Sequence, residues 1–229
     1  MRSSSPLGAL ALGLALVGCA QLAQLAGPER EEELAVGVRE ALRVGAERAV
    51  SRTSRPGGFL ENPVARIGLP RELQSIAAAL RAAGLRGTVD EIEVSMNRAA
   101  EQACGEGADL LFDAVRTLSI RDAYGIVHGG DDAATRYLRT STEDALRERF
   151  APIVGAAMGR LGLVRAYDEL IERSRLVSVS GVPTLSLEEY VTEQTVEGLF
   201  GALGEEERRI RDEPAARTTE VLRDVFGGV

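Results

Sequence analysis

Two short segments carry polar side chains whose types and spacing suit ligand binding. In the first, Asn97 and Glu101 are four residues apart in a stretch with helical periodicity, and Arg98 lies between them. Side chains at this spacing share a helix face, so we expect the three to be neighbours. A buried arginine beside a carboxylate and an amide can bind a carboxylate or a polar head group, or it can form a network that joins two helices. We favour the structural network and keep all three residues as ligand-binding candidates.

The second segment is the acidic pair Asp131 and Asp132, which follows a Gly-Gly break and precedes a helical stretch. Aspartate is favoured here because its carboxylate caps the first N–H groups of a helix and complements the helix dipole. We therefore interpret Asp131 as an N-cap and keep both aspartates as ligand-binding candidates. No metal site is predicted, since the spacing lacks the alternating acidic loop that binds Ca²⁺.

An acid-based enzyme is the alternative hypothesis. Paired carboxylates act as general acid and base when burial separates their pKa values, and such a site would use Asp131, Asp132, Glu101 and Arg98. We nevertheless predict no catalytic residue. No serine lies in a G-x-S-x-G motif, and His128 is the single histidine available to a catalytic triad. We interpret His128 as a polar residue at a helix end, and we predict no cofactor.

The N-terminus has the features of a lipoprotein signal. Residues 7–17 are an unbroken apolar run of 11 residues, which as a helix spans about 16 Å and is too short to cross a bilayer. The run ends in Leu16-Val17-Gly18-Cys19 and resembles the lipobox in which the cysteine thiol takes a diacylglycerol. We predict lipidation at Cys19. Because Ala20 and not Asp follows, we predict tethering to the outer membrane, with the body in the periplasm.

The net charge and the surroundings of Cys104 argue against two further functions, nucleic-acid binding and thiol chemistry. The chain has 27 basic residues, all arginine, and 35 acidic ones, giving a net charge of −8. This balance argues against nucleic-acid binding, which needs a basic face for phosphates. Cys104 lies among acidic neighbours that disfavour a reactive thiolate, so we expect a small core residue there.

The spacing of apolar residues from Glu29 onward predicts an all-α protein. We expect a single compact domain of about nine or ten helices after the N-terminal signal segment. The predicted boundaries are 1–18 for the signal peptide, 19–28 for the lipidated tether and 29–229 for the helical domain. Residues 176–185 have strand-like chemistry and are interpreted as a loop or edge hairpin, and residues 215–226 are expected to form the last helix.

Several local signals predict where helices begin and end. Capping boxes at Thr88 and Ser186 predict two helix starts, and Ser141 predicts a third. Pro152 is expected to kink or interrupt its helix. The stretch Pro56-Gly57-Gly58-Phe59-Leu60 is interpreted as a tight turn, with a mobile lid or a membrane-facing tip as alternatives.

The body resembles the bacterial domain-of-unknown-function 4197 family. Matching motifs occur in the same order along nearly the whole chain after residue 28, and Pro56-Gly57-Gly58-Phe59-Leu60 is one of them. The others are residues 40–45, 48–50, 62–63, 96–101, 129–135, 190–192 and 214–219. The resemblance implies a secreted or lipid-anchored helical protein of diderm bacteria and implies no activity.

These observations lead to one functional hypothesis and its alternative. We expect a non-enzymatic binding or interaction module of the cell envelope, held at the membrane through Cys19. Its partner would be a lipid, another envelope component or a protein.

Overall fold

The computed structural model describes residues 28–176 and 185–213, and within these ranges it is all-α with no strand. The predicted fold class is therefore confirmed. Its eight helices are α1 (Pro28–Ser54), α2 (Arg71–Ala82), α3 (Arg86–Gly107), α4 (Asp109–Arg116), α5 (Ile120–Val127), α6 (Ala133–Arg160), α7 (Leu163–Leu176) and α8 (Leu187–Asp212). None of the helices in this part of the chain is long and apolar enough to cross a membrane.

Helix α6 is one continuous helix where the sequence predicted two. Ser141 does not cap a new helix, because its hydroxyl turns back and donates to the carbonyl of Tyr137 at 2.9 Å. Thr142 likewise donates to the carbonyl of Leu138 at 2.7 Å, a bond that keeps the hydroxyl inside the helix. The helix also continues through Pro152. This fusion is one reason why the helix count within the described ranges falls below nine.

The two predicted capping boxes have different outcomes. Ser186 is the N-cap of α8 and accepts a hydrogen bond from the N–H of Glu189 at 3.2 Å, so that prediction is confirmed. Thr88 does not begin α3. The helix starts at Arg86, and its N-cap residue, Leu85, makes no side-chain cap hydrogen bond. Gly84 explains the early start, because its positive φ of 79° ends α2 and lets the chain turn directly into α3.

The helices share one apolar core. A single cluster of buried residues draws side chains from all eight helices, and Phe59, Phe150 and Phe200 are its largest fully buried members. Helix α8 packs against α6, α1 and α3, and α3 also packs against α6 and α1. Helix α8 thus lies across three earlier helices, and its contacts determine much of the site geometry.

Several sequence predictions lie outside the described residues. These are lipidation at Cys19, the signal-peptide boundary at residue 18, the last helix predicted at 215–226 and, except for its two end residues, the loop or edge hairpin predicted at 176–185.

Candidate functional site

Asn97 fastens the connecting loop, residues 55–70, to helix α3. Its side chain is fully buried, and its Oδ1 accepts a hydrogen bond from the N–H of Ile67 at 2.9 Å. Its Nδ2 donates to the carbonyls of Ile67 and Glu93, both at 2.7 Å. Both donors and one acceptor position of the amide are thereby used on backbone groups. These contacts are those of the structural network, and a ligand role for Asn97 stays a prediction.

Glu101 holds the same loop one helical turn further along α3. The N–H of Phe59 donates to its Oε1 at 3.3 Å, and Arg98 Nη1 donates to its Oε2 at 2.8 Å. Glu101 is buried, whereas the Arg98 side chain is 41% exposed. Our expectation of a buried Arg98 is wrong, because one residue along a helix rotates the side chain by about 100° away from Asn97.

The turn at the start of the connecting loop is held by close backbone contact. A Cβ on Gly58 would lie 2.3 Å from the carbonyl oxygen of Arg52, so only glycine fits there. Phe59 is fully buried and lies against Gly198 of α8. The turn interpretation is therefore correct, and the burial of Phe59 contradicts a membrane-facing tip at this residue. The alternative of a mobile lid stays untested.

The acidic pair before α6 is exposed. Asp132 is the N-cap residue by backbone position, but its side chain makes no cap hydrogen bond and instead pairs with Arg136 at 2.9 Å. Asp131 is also exposed and is not the N-cap residue, so that part of the prediction is wrong. Among the described residues, no hydrogen bond or ion pair joins this pair to Arg98 or Glu101. A ligand role for both aspartates stays a prediction.

Glu207 of α8 caps the start of α6 in their place. Its carboxylate accepts from the N–H groups of Ala134 and Thr135 at 2.9 and 2.8 Å, and from the Thr135 hydroxyl at 2.7 Å. Arg211 Nη2 donates to the same carboxylate at 2.9 Å and to the carbonyl of Ile126 at 3.0 Å. Sequence reasoning missed Glu207, because a run of three glutamates in a helix is typical of a solvated face.

Three carboxylates on α6 and α8 lie close enough together to hold a metal ion. They belong to Glu143, Glu193 and Glu197. Two arginines already bind them: Arg139 Nη1 donates to Glu197 at 2.6 Å, and Arg147 Nε donates to Glu193 at 2.8 Å. The hydrogen bond from Arg139 lowers the pKa of Glu197. The cluster is therefore an ion-pair network between two helices, with most of its negative charge balanced.

Cys104 and His128 both occupy structural positions. Cys104 is fully buried, and burial raises the pKa of its thiol to about 12, which keeps it protonated. His128 is the C-cap of α5, where its ring stacks on Tyr124 and its Nδ1 lies 3.0 Å from the Tyr124 carbonyl oxygen. Both positions agree with the sequence-based interpretation.

A cleft of about 350 Å³ lies where the end of α1, the turn of the connecting loop and the second half of α8 meet. We call it the charged cleft. Its lining consists of Arg52, Arg55, Gly57, Gly58, Glu61, Asn62, Pro63, Glu205 and Arg209. None of the residues selected from the sequence as ligand candidates lines it. Its volume lies within the range of about 300–1,000 Å³ that is typical of small-molecule sites.

Part of the charge in this cleft is fixed by ion pairs. Arg52 binds Glu205 and also donates to Glu206 Oε1 at 2.7 Å. Arg209 donates to the same oxygen at 3.1 Å. Glu206 is almost fully buried behind the two arginines, so it anchors both guanidinium groups at the cleft wall.

Comparison with known proteins gives a family and no further relative. Residues 29–227 match the model of a family described as "Protein of unknown function (DUF4197)". No curated protein matches the chain, and no solved structure does. The match covers the whole helical body, in agreement with the motifs in the sequence. The chain therefore belongs to the DUF4197 family.

Proposed function

We propose that the protein is a lipid-anchored binding module of the bacterial cell envelope. The anchor is Cys19, and the lipobox Leu16-Val17-Gly18-Cys19 at the end of a short apolar run is the observation that supports it. Stable anchoring requires at least two acyl chains, which the diacylglycerol thioether supplies. The proposed site of binding is the charged cleft, which opens on the surface of the helical body.

The arrangement of the connecting loop supports a binding role for this cleft. Asn97 and Glu101 fix the loop through its backbone N–H and C=O groups, while Phe59 anchors it in the core. The turn that lines the cleft is thus held before any ligand arrives. Preorganisation of this kind lowers the entropic cost of binding.

The anchor is tested by cell fractionation and by labelling with a radioactive fatty acid. We expect the wild-type chain in the membrane fraction with label, and the Cys19→Ala chain without either. Cys104→Ala is the matched control, since the second cysteine is buried in the core and keeps the anchor site intact. Label on the Cys19→Ala chain would contradict the proposal.

A separate experiment tests whether the anchored protein lies in the outer or the inner membrane. We expect the wild-type chain to sediment with outer-membrane fractions on a density gradient. The Ala20→Asp chain is expected to move to inner-membrane fractions, because aspartate after the lipidated cysteine commonly retains lipoproteins there. Equal distribution of the two chains would contradict outer-membrane sorting.

The binding role is tested by native mass spectrometry of the Cys19→Ala chain purified from cells. We expect a fraction of the molecules to carry an additional small mass that is released on unfolding. A chain that shows its bare mass under every purification condition would count against a small-molecule ligand.

A further inference from the structure

The charged cleft contains two opposite charges that are not paired. Arg55 follows directly after α1, Glu61 lies in the turn of the connecting loop, and both side chains are exposed. Within the described ranges, neither side chain forms a hydrogen bond or an ion pair, although both line the same 350 Å³ space. The cleft therefore offers one cation and one anion to a ligand.

The Glu61 carboxylate is positioned by the glycine beneath it. If Gly57 carried a Cβ, that atom would lie 2.7 Å from Glu61 Cδ and 2.8 and 2.9 Å from its two carboxylate oxygens. Gly57 also has a positive φ of 83°, which glycine adopts without strain. The turn thus lets the carboxylate fold against its own backbone, at the wall of the cleft.

Further donors line the same cleft as the unpaired arginine. Asn62 uses its Oδ1 to accept from the N–H of Val64 at 3.0 Å, which leaves the amide NH₂ group for another partner. Arg209 uses one of its five N–H donors on Glu206. An anionic group bound in the cleft would therefore have donors besides Arg55.

The position of the cleft favours a soluble ligand. Helix α1 has 27 residues and is about 40 Å long, with the predicted tether at its first residue and the cleft at its last turn. The cleft is therefore at the end of α1 that is remote from the attachment to the membrane.

We propose that the charged cleft binds a small soluble zwitterion, with its anionic group on Arg55 and its ammonium group on Glu61. A free amino acid, the ends of a short peptide or phosphoethanolamine all have this chemistry. The inference rests on the proposed binding role and gives the charged cleft a ligand class. The pairing of charges does not depend on the lipid anchor, whereas the choice of a soluble ligand also uses the predicted tether.

Calorimetric titration of the Cys19→Ala chain tests the inference with the dipeptide alanyl-alanine and with phosphoethanolamine. We expect at least one of them to bind, with an affinity that falls as salt is added. N-acetyl-alanyl-alanine lacks the ammonium group and alanyl-alanine amide lacks the carboxylate, so each is expected to bind at least about tenfold more weakly than the dipeptide if the dipeptide is the ligand. Preference for the dipeptide or for phosphoethanolamine identifies the source of the zwitterion.

Single substitutions test whether the zwitterion binds in the charged cleft or elsewhere on the surface. Arg55→Gln and Glu61→Gln are each expected to weaken binding at least about tenfold without changing the melting temperature, because both side chains are exposed and unpaired. Arg71→Gln and Glu91→Gln remove matched exposed charges outside the cleft and are expected to leave binding unchanged. The proposal is overturned if neither zwitterion binds, if the single-charge analogues bind equally well, or if the cleft variants bind like the wild type. A ligand mass that persists in the Arg55→Gln chain would preserve the binding role and reject this site.

Discussion

Gly198 of α8 lies directly against the ring of Phe59. A Cβ added to Gly198 would be 2.5 Å from Phe59 Cε1 and 3.3 Å from the Cβ of Ala65. Phe59 is fully buried, so its ring has little space into which it can move. The connecting loop and α8 therefore fit together only because one helical position has no side chain.

The substitution Gly198→Ala is expected to destabilise the protein although alanine favours helices. Overpacking of this kind costs about 1–3 kcal/mol in the free energy of unfolding, which outweighs the helix preference of about 1 kcal/mol. Urea denaturation measures the difference. Gly125→Ala in α5 is the matched control, since a Cβ there meets nothing within 4 Å, and we expect it to be neutral or stabilising.

A second substitution tests whether the Gly198→Ala effect arises from the contact with Phe59. Phe59→Leu removes ring atoms near Gly198, so the double variant should lose less stability than the sum of the two single variants. Strict additivity would mean that the Gly198→Ala effect arises elsewhere.

Removal of the carboxylate at position 207 should destabilise the start of α6. Glu207→Ala leaves two N–H groups and the Thr135 hydroxyl without their acceptor, and we expect a loss of about 2–4 kcal/mol. Asp132→Ala is the control, because its exposed carboxylate makes no cap bond, and it should change stability by less than about 0.5 kcal/mol. The reverse order of these two effects, measured by thermal and urea unfolding, would show that the aspartate is the true cap.

Substitution of Asn97 tests the attachment of the connecting loop. Asn97→Ala leaves the N–H and C=O groups of Ile67 without their partner in a buried position, so we expect a loss of about 2–4 kcal/mol. Hydrogen exchange should show faster exchange at the Ile67 amide. Gln102→Ala on the same helix, which removes an exposed contact with Glu106, is expected to leave both measurements unchanged.

The Cys104 thiol should be unreactive in the folded protein. Burial raises its pKa to about 12, so the folded state favours the protonated form. This contribution to stability is complete below the ordinary thiol pKa of about 8.5 and is lost as the pH rises through about 12. We expect iodoacetamide to modify the Cys19→Ala chain only after unfolding in guanidinium. Equal rates for folded and unfolded chains would rule out a buried thiol.

Local sequence predicted the helices better than it predicted their partners. The apolar spacing was sufficient for an all-α fold, and Asn97 and Glu101 stood out because they are polar residues four positions apart in a stretch with helical periodicity. Their targets are backbone groups of the connecting loop 30 and 42 residues away, and nothing in the local sequence indicates that pairing.

Glu207 and the charged cleft escaped prediction for the same reason. Glu207 is 72 and 73 residues from the groups that it caps, and it is buried only because α8 packs across α6. The cleft likewise combines the end of α1 with α8, so its charges are scattered in the sequence. Such sites depend on tertiary packing and not on local pattern.

The late position of α8 in the chain has a consequence for folding. The ion pair between Arg52 and Glu206 closes a separation of 154 residues, and Gly198 and Glu207 complete contacts made by much earlier segments. Proteins that depend on such distant contacts fold slowly, because a long loop must close before its contacts stabilise it. A nascent chain that ends before Leu187 lacks the helix that joins α1, the connecting loop and α6. We therefore expect cooperative folding to begin only when nearly the whole chain has been synthesised, and a truncated chain to be an early target for proteases.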